Sequence, residues 1–353
     1  MSPIRIVKVN SKNPEYNYVQ EAAEVVKNGG LVIIPTETVY GIAANMMDPQ
    51  AIKRLHDIKR RPDNKPFSVH VDKKEKTEDF ARAIPVAAYK LIDRFWPGPL
   101  TLILKSKNEG TVGLRMPDNE IALKVISLSG VPIVCPSANI SGLPAPNNIE
   151  EALKDLSGLV DFAIDGGPAS LGRESSVVDL TGHSLQVLRE GAVKKEDIER
   201  TASKKFVLFI CTGNSCRSVM AKYLLEKKLK EKKRTDIEVL SAGMMIASGF
   251  GATEETREVL RREGINASGH LSQRVTKEMI KKSDFILVME KVHEERIMEL
   301  APEVKNRVFL LKEFAKIKDN NLNILDPIGR SLEFYEQTFA TIKEAIERIV
   351  DII

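Results

Sequence analysis

The chain has 353 residues, of which 42% are hydrophobic and 29% charged, and it carries a net charge of +4. That length exceeds what one core usually covers and predicts two domains, in a composition ordinary for soluble globular protein. No apolar run approaches the roughly 18 residues of a membrane span, the start MSPIRIVKVN has no signal-like core, and three cysteines do not make a disulfide framework. A cytoplasmic protein without membrane contact is expected, its mild positive charge compatible with an anionic substrate or RNA.

From Ile4 short apolar strands alternate with amphipathic helices. IRIVKV reads as a strand, residues 18–27 as a helix closed by Gly29 and Gly30, LVIIP as a buried strand, and AIKRLHDIK as a helix ended before Pro62. SVHV, LTLILK, VGLRM, PIVC, FAID, SVVDL and LQVL add strands, with helices over 86–95, 120–127 and 149–156. So many strands for so few helices predict an α+β or α/β domain with a large mixed sheet. Five strings punctuate it: PTETVYGIAAN from Pro35, KRRPDNKPFSVHV from Lys59, PSANISG from Pro136, ESSVVDL from Glu174 and LREG from Leu188. Each joins a strand end to hydroxyls or basic side chains, the groups that a polyphosphate and an amino acid require. G-x-x-x-x-G-K-[ST] is absent, which excludes a P-loop nucleotidase, and no G-x-G-x-x-G stands in a suitable context.

The polar stretch GAVKKEDIERTASKK, residues 191–205, reads as the linker, giving domains over 1–195 and 205–353 with 196–204 between them. A cleaner alternation follows: FVLFI, EVLSAG, FILVM and RVFLL, each succeeded by a helix, which predicts a doubly wound parallel sheet with its ligands at the strand C-termini. FVLFICTGNSCRS, residues 206–218, is the first strand, a tight loop and a helix start. Backbone N–H groups and a helix N-terminus then converge on one point, where Cys211 is biased toward the nucleophilic thiolate. Arg217, six residues on, can hold two oxygens of a tetrahedral oxyanion. This is the pattern of a phosphate-ester site with its own nucleophile. Asp326 in LDPIG is a loop carboxylate able to protonate a leaving atom and then activate water.

The N-terminal strings, in their order, resemble the YrdC-like threonylcarbamoyl-AMP synthases over about residues 15 to 195. The resemblance implies that L-threonine, bicarbonate and ATP, the last with Mg2+, become threonylcarbamoyl-adenylate and pyrophosphate for tRNA modification. It also implies that no protein side chain binds a metal. Lys59, Arg61, Thr111, Ser137, Asn139 and Arg189 match ATP-binding positions, and Thr36, His70, Arg115, Cys135 and Ser175 match positions that hold threonine. Arg115 is the expected partner of the threonine carboxylate. Taken singly, His70 reads as a satisfied strand histidine, and the ordered set is what argues otherwise. Some members carry a further C-terminal domain of their own, and here a different domain stands in that place.

CTGNSCRS, SAG at Ser241, GINASGHLSQ, FILVM and DPIG, in that order, resemble the low-molecular-weight protein tyrosine phosphatases over about the last 150 residues. By that resemblance Cys211 is the nucleophile, Arg217 the phosphate clamp and Asp326 the general acid, then base, with no cofactor. Thr212, Gly213, Asn214, Ser215, Cys216 and Ser218 complete the phosphate loop. Asn214 and Ser218 hold its shape, and Cys216 is a candidate for a protective disulfide with Cys211. Thr212 after the nucleophile resembles the bacterial protein-arginine phosphatases, and Ile328 stands where tyrosine-specific members usually place an aromatic residue. Both favour a phosphoarginine over a phosphotyrosine protein. The expected whole is a bifunctional enzyme. The alternative is an N-terminal module that binds double-stranded RNA beside a phosphatase that alone is catalytic; tRNA-modification proteins are further candidate partners.

Overall fold

The computed structural model describes residues 4–62, 66–245 and 247–353. The chain divides after Ala202 into two compact units.

The described residues of the first unit form a ten-stranded sheet. Its order across the sheet is Arg5–Lys8, Phe162–Asp165, Val32–Ile34, Gly41–Asn45, Ile133–Val134, Val69–His70, Thr111–Arg115, Leu100–Lys105, Ser176–Asp179 and Gln186–Arg189. Parallel and antiparallel neighbours are mixed: Arg5–Lys8 runs parallel to Phe162–Asp165, whereas Val32–Ile34 and Gly41–Asn45 are antiparallel. The continuous apolar run LVII is explained by burial on both faces. Leu31 and Ile33 enter one core with Tyr40, Ile42 and Leu55, while Val32 and Ile34 enter another with Val19, Ala43 and Phe162. The stretch expected to be a linker is instead the helix Lys195–Ser203. Ile198 is its anchor, fully buried in the first unit's core, and one such residue in a charged helix leaves little apolar pattern to read.

The second unit carries a four-stranded parallel sheet in the order Ile237–Gly243, Lys205–Cys211, Phe285–Val288, Val308–Leu310. Val207 and Phe209 face the helices Arg217–Glu231, Glu254–Arg262 and Leu332–Ile349, while Leu208 and Ile210 face Lys277–Lys282 and Lys291–Leu300. The sheet is therefore covered on both sides. Because the second strand lies on one side of the first and the third on the other, the winding reverses at Lys205–Cys211. A crevice opens at the C-terminal end of such a strand, and Cys211 is its last residue.

Candidate active sites

Side chains of the first unit enclose a cavity of about 510 Å3. Lys59 enters it from the end of the helix Pro49–Lys59. Asp48 caps that helix, its carboxylate accepting from the N–H groups of Gln50 and Ala51 at 2.8 and 3.2 Å, and Arg60 leaves it in the left-handed region at φ 48°. Lys59 is thereby held 3% exposed, its ammonium donating to the Ser137 carbonyl at 2.6 Å, to Asn139 Oδ1 at 2.9 Å and to Ser137 Oγ at 3.3 Å. Burial, reinforced by Arg61, pushes its pKa down to about 8. Arg61 donates to the Pro66 carbonyl at 3.0 Å and lies over the Phe67 ring. Residues 63–65 of this basic loop fall outside the described residues.

The strands Val69–His70 and Thr111–Arg115 pair in parallel, setting His70 opposite Arg115. Arg115 Nη2 donates to Glu37 Oε1 at 2.7 Å and to Thr38 Oγ1 at 2.8 Å. Among the described residues His70 Nε2 has no partner. Burial and the adjacent Arg115 hold the ring's pKa down to about 3, so it is a neutral imidazole with one nitrogen open to a ligand. Ser175 shares a hydrogen bond with Thr101 at 2.9 Å and receives Arg189 on its carbonyl and its hydroxyl at 3.0 and 3.2 Å. A third Arg189 bond reaches Glu174 at 3.0 Å. Cys135 stays a thiol, its pKa raised to about 12 by burial. Gly41 has to be glycine beside it, since a Cβ there would lie 2.4 Å from Cys135 Sγ.

The structure thus gathers Lys59, Arg61, His70, Thr111, Arg115, Cys135, Ser137, Asn139, Ser175 and Arg189 around one cavity. Thr36 is not among them. It lines a separate cavity of about 470 Å3 with Glu37 and Asp118. Its hydroxyl donates to the Val39 carbonyl at 2.6 Å and so accepts from Thr38 at 2.8 Å. Thr38, two residues along the same string, is the threonine that reaches both the main cavity and Arg115. A non-repetitive turn carries no periodicity from which to tell which of the two hydroxyls faces this cavity.

In the second unit the loop 212–216 wraps around Cys211 Sγ, which receives the Asn214 backbone N–H at 3.3 Å and lies 3.0 Å from Ser218 Oγ. Asn214 Nδ2 donates to Ser218 Oγ at 2.9 Å and to Ser241 Oγ at 3.0 Å, which leaves the Ser218 proton free for the sulfur. Asn214 itself sits at φ 55°, held by the Gln273 N–H on its Oδ1 and by His270 on its carbonyl. Gly243 makes room for this loop, because a Cβ there would lie 2.9 Å from both Gly213 C and Thr212 O. Cys211 and Cys216 are both free thiols, and Cys216 Sγ lies 3.6 Å from Tyr335 Oη and from Thr253 Oγ1.

Arg217 is 1% exposed. Nη1 donates to Glu290 at 2.5 Å and to the Ile324 carbonyl at 2.8 Å, and Nη2 to Thr212 Oγ1 at 3.1 Å and to Asp326. Among the described residues its buried Nε has no partner. One rigid N–H therefore stays open beside an Nη2 whose carboxylate partner belongs to a one-third-exposed loop residue. Together they make a two-pronged donor for a tetrahedral anion. The Asp326 loop is tied down on the near side by Ile324 N–H to the Met289 carbonyl and Lys291 N–H to Asn323 Oδ1, each at 2.8 Å.

Residues 24–191 match the model of the Sua5, YciO and YrdC proteins, described as telomere recombination, and residues 206–353 match that of the low molecular weight phosphotyrosine protein phosphatases. A Methanocaldococcus jannaschii protein, provisionally named a threonylcarbamoyl-AMP synthase, is 34% identical over 205 residues, 56% of this chain and 97% of its own length. The chain belongs to the threonylcarbamoyl-AMP synthase family. The threonylcarbamoyl-AMP synthase of Pyrococcus abyssi is 42% identical over 204 residues, a match spanning 55% of this chain and 60% of that relative. The structure of Pyrococcus abyssi Sua5 complexed with L-threonine is 26% identical, with a TM-score of 0.54, over 96% of this chain and 97% of that one. The arginine phosphatase YwlE of Geobacillus stearothermophilus is 37% identical over 42% of this chain and 91% of its own, with a TM-score of 0.38. The family-model match identifies the second unit as a low-molecular-weight phosphatase domain.

Most side chains singled out in the motifs line the first cavity or surround Cys211, whereas several that hold them in place were not singled out. Glu37, Thr38 and Glu174 lie inside the quoted strings, where hydroxyls and carboxylates alternate without a mark to rank them. Glu290 and His293 follow the strand FILV at a helix start, and nothing in MEKVH announces contact with a loop some eighty residues earlier.

Proposed function

We propose that the first unit makes threonylcarbamoyl-adenylate from L-threonine, bicarbonate and ATP, and that the second is a cysteine-dependent protein phosphatase. For the synthase the supporting observation is the division of one cavity's lining. Lys59, Arg61 and Arg189 suit the triphosphate, Arg115 suits the amino-acid carboxylate, and neutral His70 and Ser175 suit its polar atoms. The threonine amine takes up CO2 from bicarbonate as a carbamate, whose oxygen attacks the α-phosphorus while pyrophosphate departs. Cations over the triphosphate stabilise the charge that builds there. Mg2+ would arrive with the nucleotide and supply part of that neutralisation. ATP- and threonine-dependent pyrophosphate release, lost in Lys59→Ala, tests this reading. Tight binding of double-stranded RNA without that release would favour the RNA-binding alternative.

For the phosphatase the supporting observation is the open Arg217 Nε beside the Cys211 sulfur's ring of donors. Cys211 Sγ attacks phosphorus, Arg217 holds the equatorial oxygens, and Asp326 protonates the leaving atom. It then takes a proton from the water that cleaves the phosphocysteine. A phosphoarginine protein is the favoured substrate, because Thr212 follows the nucleophile and Ile328, not an aromatic residue, stands in the Asp326 loop. Turnover of phosphoarginine and phosphotyrosine peptides by the wild type, with Cys211→Ser as the blank, decides between them.

A further inference from the structure

His293 has no part in the chemistry outlined above, yet it is 3% exposed and bonded into the phosphatase site from both ring nitrogens. It stands in the first turn of the helix Lys291–Leu300. The backbone N–H of Glu290 donates to its Nδ1 at 3.2 Å, so the proton of the neutral ring lies on Nε2. Nε2 is 3.0 Å from Thr212 Oγ1 and therefore donates to it. The same oxygen accepts from Arg217 Nη2, and Arg217 Nη1 returns to the Glu290 carboxylate. Thr212, His293, Glu290 and Arg217 close a ring of hydrogen bonds.

The consequence concerns the arginine. For Asp326 to serve a leaving group it has to release Nη2, and Thr212 Oγ1 is then the protein contact that remains on that nitrogen. A hydroxyl can rotate and could equally turn its proton toward the guanidinium. With one lone pair committed to His293, the other faces Nη2 and the hydroxyl proton is directed elsewhere. We infer that His293 is a positioning residue of the phosphatase site, fixing the Thr212 hydroxyl so that Arg217 presents its Nε and Nη2 edge to the phosphate in one orientation. Burial and the nearby Arg217 hold the ring down to about 4, so it keeps this donor role at neutral pH. The inference rests on the phosphatase reading and names a support of its anion clamp.

Two substitutions separate the ring's two bonds. Asn places its amide near Nδ1 and can still accept from Glu290 N–H but does not reach Thr212. Gln places an N–H near Nε2 and can still donate to Thr212. In the full chain, inorganic phosphate binding is measured directly by calorimetry, beside kcat and KM for p-nitrophenyl phosphate. His293→Asn is expected to weaken phosphate binding and raise KM by about 3- to 10-fold, the loss of one neutral hydrogen bond, with a smaller change in kcat. His293→Gln is expected to restore most of it. In a Thr212→Val background, where the hydroxyl is gone, His293→Asn should add nothing. The inference is overturned if His293→Asn binds phosphate like the wild type, if Gln and Asn lose equally, or if the loss persists undiminished with Val at 212. A wild-type chain that neither binds phosphate nor turns over the ester overturns the phosphatase reading itself, an outcome visible before any variant is made.

Discussion

Lys59 is a buried lysine whose three bonds all go to the Ser137–Asn139 turn. Its folded pKa, about 8, lies below the ordinary 10.5, so between those pH values the native unit binds fewer protons than the unfolded chain. Stability of the first unit should therefore rise with pH across that window, the charged lysine being the costly form. Affinity for ATP should move the opposite way, falling as pH passes about 8 and the ammonium is lost, and calorimetric titration of the wild type against Lys59→Arg checks this. An arginine stays charged across the window, so its affinity should be flat there even if lower overall. At this scale the sequence marks Lys59, Arg115, Cys211, Arg217 and Asp326 by residue type within a motif, and the structure sets Lys59 and Arg115 on one cavity and Arg217 in contact with Asp326. The sequence is silent where the role comes from a rotamer, as in Thr36 facing Val39 while its neighbour Thr38 faces Arg115.

Among the elements, the strand Lys205–Cys211, the loop after it and the helix Arg217–Glu231 act as one device, and the strand Ile237–Gly243 beside them sets how closely the loop can pack. Gly243→Ala should press a methyl against the backbone of Thr212 and Gly213, which cannot yield as a side-chain tip would. A shift of the loop by even 1 Å costs about 100-fold in kcat/KM. Kinetics with p-nitrophenyl phosphate should show that loss while threonine-dependent pyrophosphate release is unchanged. The parallel strands of this unit were easy to read, because each is a continuous apolar run followed by a helix. Strand order across the ten-stranded sheet was not, since Val69–His70 and Ile133–Val134 contribute two residues each and are defined by their neighbours. The helix Lys195–Ser203 escaped for a related reason: Ile198 is its single buried residue.

At the level of the whole molecule, the two units have separate cores and each contains every residue assigned to its own chemistry. Cys211→Ser should thus abolish ester hydrolysis and spare adenylate formation, and Lys59→Ala should do the reverse. The two family resemblances were legible because each family's motifs occupy one continuous half of the chain, whereas a site assembled across halves would have left no ordered string to find. A single phosphorus NMR time course follows both reactions together, with ATP, L-threonine, bicarbonate and p-nitrophenyl phosphate in one tube. Pyrophosphate and inorganic phosphate are expected from the wild type, only pyrophosphate from Cys211→Ser, and only inorganic phosphate from Lys59→Ala. Loss of both products in either variant, or no threonine-dependent pyrophosphate from the wild type, would contradict these assignments.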